Sequence, residues 1–159
     1  MKQLPVPLLH NKTFGIMCLS KVKLSERGSN YMDKYEAARE WIKYSDNDLT
    51  AVNQLTTHHP IQIEIVCCLC QQSAEKALKA YLVFQEVALP KTNDLNLLVA
   101  ECKKFDEQFN GFLDECTRLN VYASQPIDPF GLDLSNEDMR TAIKDCNKIN
   151  ELVKSLMIP

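Results

Sequence analysis

Glycine is scarce in this chain, with 4 among 159 residues. The shortage disfavours a turn-rich all-β fold and suits long helices joined by short loops. No Gly-rich phosphate loop is present, no G-x-S-x-G and no H-E-x-x-H, so the usual nucleophile and metalloenzyme templates find no match. Histidine is rarer still: three in all, none after His59. Long apolar runs are missing too. The stretch "FGIMCLS" at 14–20 is too short to span a bilayer, and prolines at 5 and 7 precede it. No secretory signal is visible, so the expected setting is cytoplasmic and membrane-free.

Excess positive charge is also lacking over most of the chain. Residues 1–31 carry five cations against Glu26 alone, a net +4, which leaves −7 on the remainder of a chain whose total is −3. An acidic body has no broad cationic face for nonspecific binding to a phosphate backbone. The charge break falls just before Met32, where a helical pattern begins. Residues 1–31 therefore read as a loosely ordered leader or upstream extension, with Met32 the expected natural start. Residues 32–159 read as one domain, long enough to bury a core without metal or disulfides.

Helical periodicity is abundant. Asp33 is a plausible N-cap for a first helix to Leu55, with Ala38, Trp41, Ile42, Ser45, Leu49, Val52 and Leu55 as its apolar stripe. "TTHHP" breaks the chain at Pro60. A second helix spans about Ile61 to Val87, with Thr92 or Asn93 then capping a third through Cys102. A fourth covers about Asp106 to Ala123. After the irregular "SQPIDPFGLDL", Ser135 opens the last helix, with Asp138 completing an imperfect capping box. The pattern predicts an all-α, antiparallel up-and-down bundle of about five helices.

Seven cysteines are present, three of them in "CCLCQQSAEKALKAYLVF" at 67–84. Cys67 and Cys70 have metal-ligand spacing, but no second pair follows, and both fall on the stripe shared with Ala74 and Ala77. They read as reduced core residues. His58 and His59 read as an exposed linker. The polar text that follows the cysteines is more telling. Glu75 and Lys79 form an i,i+4 pair in the favourable order, which alone predicts a solvated face. One of the adjacent Gln71 and Gln72, however, must sit at the edge of the buried stripe.

Three pieces of the chain resemble the HEPN domain. They are Trp41, Ser45, Asp48, Leu49 and Ala51 in the first helix, the string Gln71 to Leu82 in the second, and "PKTNDLNLL", with Asn93 where the family has histidine. The resemblance covers about residues 33 to 157. It implies a homodimeric helical bundle with roles in nucleotide binding, in toxin–antitoxin pairs with a nucleotidyltransferase, or in RNA cleavage. The ribonuclease members use an arginine followed a few residues later by a histidine. Here Arg118 is followed by "LNVYASQPIDPFG", which contains no histidine, and Ser124 or Gln125 stands where a related branch has arginine.

The expectation is therefore a non-catalytic, homodimeric HEPN module, without cofactor, metal or catalytic residue. It binds a nucleotidyltransferase partner, a nucleotide, or both, in a toxin–antitoxin-like or regulatory context. RNA is not expected as a catalytic substrate. Candidate nucleotide-binding or interface residues are Trp41, Asp48, Gln72, Glu75, Lys76, Lys79, Tyr122 and Gln125. Lys76 or Lys79 would supply phosphate charge, and Trp41 or Tyr122 a stacking face. Dimerisation is expected through the second and last helices, around Gln72 and the "SQPIDPF" loop. The alternatives are a diverged HEPN ribonuclease toxin using Lys79, Tyr122 or Arg118, and a helical protein-interaction module with no nucleotide role.

Overall fold

The computed structural model describes residues 33–123 and 132–157; the leader, Met32 and Gln125 lie outside them. Five α-helices follow in order: α1 (Lys34–Thr56), α2 (Ile63–Phe84), α3 (Leu95–Cys102), α4 (Leu113–Asn120) and α5 (Asn136–Met157), with a 3₁₀ turn at Glu107–Phe112. Among the described residues there is no strand, and the architecture is the all-α bundle that the periodicity predicts.

Helix α2 is the centre of the bundle. It packs most extensively on α1, then on α5, and less on α3. Its apolar residues surround most of its circumference: Val66, Cys67, Cys70, Ala74, Ala77, Leu78, Tyr81 and Leu82 are all in the core. The two long neighbours bury one stripe each. From α1 come Ala38, Ser45 and Val52; from α5 come Met139, Ala142, Cys146, Ile149 and Val153. Small residues on α2 (Ala74, Ala77, Ala80, with cysteines at 67 and 70) let all three backbones approach closely.

A buried polar ring joins these helices at mid-height. Ser45 Oγ donates to Asn150 Oδ1 at 2.8 Å, Asn150 Nδ2 donates to Ser73 Oγ at 3.1 Å, and the two serine hydroxyls lie 2.8 Å apart. With Ser73 donating to Ser45, each member gives one hydrogen bond and accepts one. Asn150 directs its second N–H to the Cys146 carbonyl at 3.1 Å. A closed ring of this kind avoids the desolvation cost of three buried polar groups and fixes the register of α1, α2 and α5.

Helix ends match the sequence in part. Asp33 caps α1, and Ser135 with Asp138 forms the capping box of α5: Asp138 N–H donates to Ser135 Oγ at 3.2 Å, and Ser135 N–H to Asp138 Oδ2 at 2.8 Å. The cap of α3 is Asp94, rather than Thr92 or Asn93. Its Oδ1 accepts from the Asn96 and Leu97 amides and from Asn120 Nδ2. An ionised carboxylate accepts several N–H groups at once, and Asn120 holds it in place from α4. The expected fourth helix starts as a 3₁₀ turn, and its α-helical part is only Leu113–Asn120.

Helix α2 ends in a Schellman turn. Val87 N–H reaches the Leu82 carbonyl and Glu86 N–H the Val83 carbonyl, both at 2.9 Å. Glu86 occupies the left-handed position, φ 59°, where glycine costs least. Its ion pair with Lys34 (3.5 Å) is solvent-exposed and contributes little. Glu86→Gly should therefore stabilise the bundle by about 1 kcal/mol, seen as a rise of roughly 4 °C in thermal midpoint. An unchanged or lower midpoint would show that this turn is not strained.

Candidate functional site

The string Gln71 to Leu82 runs across the middle of α2, and its polar members are organised by two flanking elements. Trp41 leans over it from α1; Asn93 reaches it from the loop before α3. Lys79 Nζ donates to Glu75 Oε1 at 2.6 Å and to Asn93 Oδ1 at 3.1 Å, and lies 5.8 Å from the centroid of the Trp41 ring. Gln71 Nε2 donates to the Asn93 carbonyl at 3.2 Å and to Glu75 Oε2 at 3.4 Å. Lys79 is only 4% exposed and Gln71 only 2%. The solvated Glu75–Lys79 face expected from i,i+4 spacing is thus corrected: Trp41 and Asn93 close over the pair, and neither can be read from α2 alone.

Asp48 and Lys76 form a second ion pair, between α1 and α2, with both side chains largely buried. Burial raises the Asp48 carboxyl above its ordinary value, against the lowering effect of the Lys76 hydrogen bond and charge. Gln72 lies on the outer side of α2, its Nε2 donating to Cys68 Sγ at 3.4 Å. Trp41, Glu75 and Lys79 are therefore brought together, with Asp48 and Lys76 beside them. Tyr122 is not part of this group. It is buried near Cys67 and Cys70, and burial pushes its phenol up to about 12. From residue 67 to residue 79 is roughly 18 Å along the helix axis. Trp41 and Tyr122 thus belong to separate places.

Charge gathers again where α4 meets α5. Arg118 Nε donates to Asp145 Oδ2 at 2.7 Å, and Lys148 Nζ to Glu115 Oε1 at 2.9 Å. Asp145 is 2% exposed, while Arg118 and Lys148 reach it and Glu115 from the surface. The hydrogen bond to Asp145 raises the Arg118 guanidinium further above its already high value. For Glu115, burial acts upward, but the hydrogen bond from Lys148, a backbone hydrogen bond and the nearby cations bring it below the ordinary 4.5. A carboxylate depressed in the fold contributes stability above its unfolded value and loses it as pH falls through the folded one. Wild type should exceed Glu115→Gln by about 1 kcal/mol above pH 4.5; in paired thermal melts the difference should shrink from there downward and vanish only once the pH has fallen through the lowered folded value. A constant difference across this range would dismiss the Glu115–Lys148 contact as a contributor.

The described cysteines lie in the core. Cys67, Cys68, Cys70, Cys102, Cys116 and Cys146 are free and buried. Burial pushes the Cys67 and Cys116 thiols up to about 12, far from the thiolate that metal binding or nucleophilic attack requires. Among the described residues no group of histidine, cysteine and acidic side chains could hold a metal. His58 and His59 are exposed in the loop between α1 and α2, as expected.

Asn150, Asp145 and Glu115 have no part in the sequence reading, and Asn93 enters it only as a possible helix cap and as the residue in the family's histidine place. For Asp145 and Asn150 a signal existed. They fall on the core spacing of α5, three after Ala142 and four after Cys146, and a polar residue on such a stripe needs a buried partner. Asn93 and Glu115 carry no such signal, because their partners lie on other elements.

No match was found among curated proteins or among solved structures. The family model described as the HEPN domain does match, over residues 38–156, a range that takes in all of α2, α3 and α4 and nearly all of α1 and α5. With the bundle, the Gln71–Leu82 string and most of the chain inside that match, this chain belongs to the HEPN domain family.

Proposed function

We propose that this chain is a non-catalytic HEPN module that acts by association: a cytoplasmic homodimer that binds a nucleotidyltransferase-type partner in a toxin–antitoxin-like or regulatory setting. The observation that carries the reading is the internal pairing of the charged groups available for chemistry. Lys79 is held by Glu75 and Asn93, Lys76 by Asp48, and Arg118 by Asp145. A phosphate arriving at Lys76 or Lys79 would have to break an ion pair whose acid then stays behind, desolvated and repelling the ligand. Among the described residues Arg118 pairs with Glu115 and Asp145, and no imidazole is recorded beside it to move a 2′-OH proton. This supports protein binding over nucleotide binding as the first role of the module. Among the described residues no helix is long and apolar enough to cross a membrane.

Two measurements test the reading together. Calorimetric titration with ATP and GTP should give no heat, and affinity capture from the source cells should recover a nucleotidyltransferase in stoichiometric amount. Saturable nucleotide binding without a protein partner would replace it with a nucleotide-binding role. RNA cleavage on expression, lost in Arg118→Ala, would replace it with a ribonuclease.

A further inference from the structure

Along α3, the 3₁₀ turn and the start of α4, exposed apolar side chains stand among acids. Helix α3 buries Leu95, Leu98, Val99 and Cys102, which leaves Leu97 and Ala100 facing outward. Two contacts fix how α4 lies against it. Thr117 Oγ1 donates to Asn96 Oδ1 at 3.2 Å, and the Leu95 amide donates to Asn120 Oδ1 at 2.8 Å. The two helices therefore run antiparallel, and the same register carried one turn further sets Leu113 opposite Ala100 and Glu101. Leu97 is 55% exposed, Leu113 49%, and Phe105, just past the end of α3, 47%. Among the described residues no neighbouring group stands within 4 Å of where a side chain on Gly111 would begin, so the surface beside Leu113 is open.

We infer that this edge docks a cationic amphipathic helix of a partner protein. Its apolar stripe would cover Leu97, Ala100 and Leu113, and its flanking Lys or Arg side chains would answer Glu107 and Asp114. Charge selects the occupant. From Asp94 to Asp114 the chain carries five acids against Lys103 and Lys104, a net −3. Lys104 is engaged by Glu101 at 2.7 Å, whereas Glu107 and Asp114 are exposed and form no ion pair among the described residues. Clustered apolar side chains left in water mark a contact surface, and acids beside them repel nucleic acid, anionic lipid and acidic proteins alike. A helix with aliphatic residues at i, i+3, i+4 and i+7 offers a stripe as narrow as this one, with room for cations on both flanks. The site is separate from the Trp41–Lys79 group on α1 and α2. It depends neither on the homodimer nor on which protein the partner proposed above is.

Fluorescence anisotropy on the purified full chain tests this with a synthetic helical peptide of about 18 residues, carrying a leucine stripe flanked by lysines. The comparison peptide has glutamate in place of each lysine. The lysine peptide should bind and the glutamate peptide should not. Leu97→Ser combined with Leu113→Ser should weaken binding about tenfold or more, and Glu107→Lys combined with Asp114→Lys by a similar factor. All four residues are exposed, so both double variants should keep wild-type helical content. Ile65→Ser, which alters an exposed apolar residue on α2, should bind as wild type does. Undiminished binding in the serine double variant, or an equal loss in Ile65→Ser, would reduce the contact to nonspecific charge attraction and overturn the site. No binding of the lysine peptide, or binding of phosphatidylglycerol vesicles in its place, would overturn the cationic helix as occupant.

Discussion

Phe109→Ala should destabilise the bundle by about 4 kcal/mol, a large part of the total stability of a domain this size. The ring enters the core from the 3₁₀ turn between α3 and α4, is 1% exposed, and packs against Tyr81 of α2 with centroids 4.8 Å apart. A 3₁₀ turn has weak hydrogen-bond geometry of its own. Its position is therefore decided by what its side chains bury, and Phe109 is the one residue of the turn that is fully inside. Removing the ring leaves a cavity beside Tyr81 that α2 cannot close without moving. Phe109→Leu keeps most of the volume and should cost about 1 kcal/mol. Urea unfolding monitored by circular dichroism reads both. A loss below about 1.5 kcal/mol for the alanine variant would show that the turn is anchored by something else.

Lys79→Met should cost about 3 kcal/mol, because it leaves the Glu75 carboxylate beneath Trp41 and Asn93 without its cation. The double variant Glu75→Leu with Lys79→Met removes both charges and should recover most of that loss, since a buried pair is often replaceable by apolar groups of similar shape. A double-mutant cycle by chemical denaturation measures the coupling. The same proteins bear on function. If Lys79→Met left stability unchanged while weakening partner or nucleotide binding, the pair would be a recognition site and not a structural one. The double variant, with its fold restored, should bind a protein partner as wild type does.

The two cases differ in how far the sequence leads. Phe109 lies on a readable apolar stripe with Phe112, Cys116 and Leu119, so its burial follows from spacing even though the local geometry is 3₁₀ in place of α; Leu113, expected on the same stripe, is exposed. Lys79 follows a readable rule as well, the i,i+4 pair with Glu75, but that rule assumes water on the outer side. Trp41 and Asn93 lie 38 residues before and 14 residues after Lys79, and nothing in the α2 text says that they close over it. Gln71 and Gln72 show the same limit at a finer scale. That one of them is buried follows from helical geometry. Which one depends on where Asn93 lies.

The sequence by itself determined the helices, their order, the burial of the six described cysteines and the family. Each of these rests on periodicity and on contiguous strings, and the physics behind them is local: side-chain spacing along a helix, capping carboxylates, prolines that break it. Tertiary structure alone decided which polar groups meet. The Ser45–Ser73–Asn150 ring, the Lys79–Asn93 contact and the Arg118–Asp145 pair join residues far apart in the chain. A buried hydrogen bond or ion pair depends on distances of about 3 Å and on the exclusion of water. Both conditions are set only when separate helices have packed.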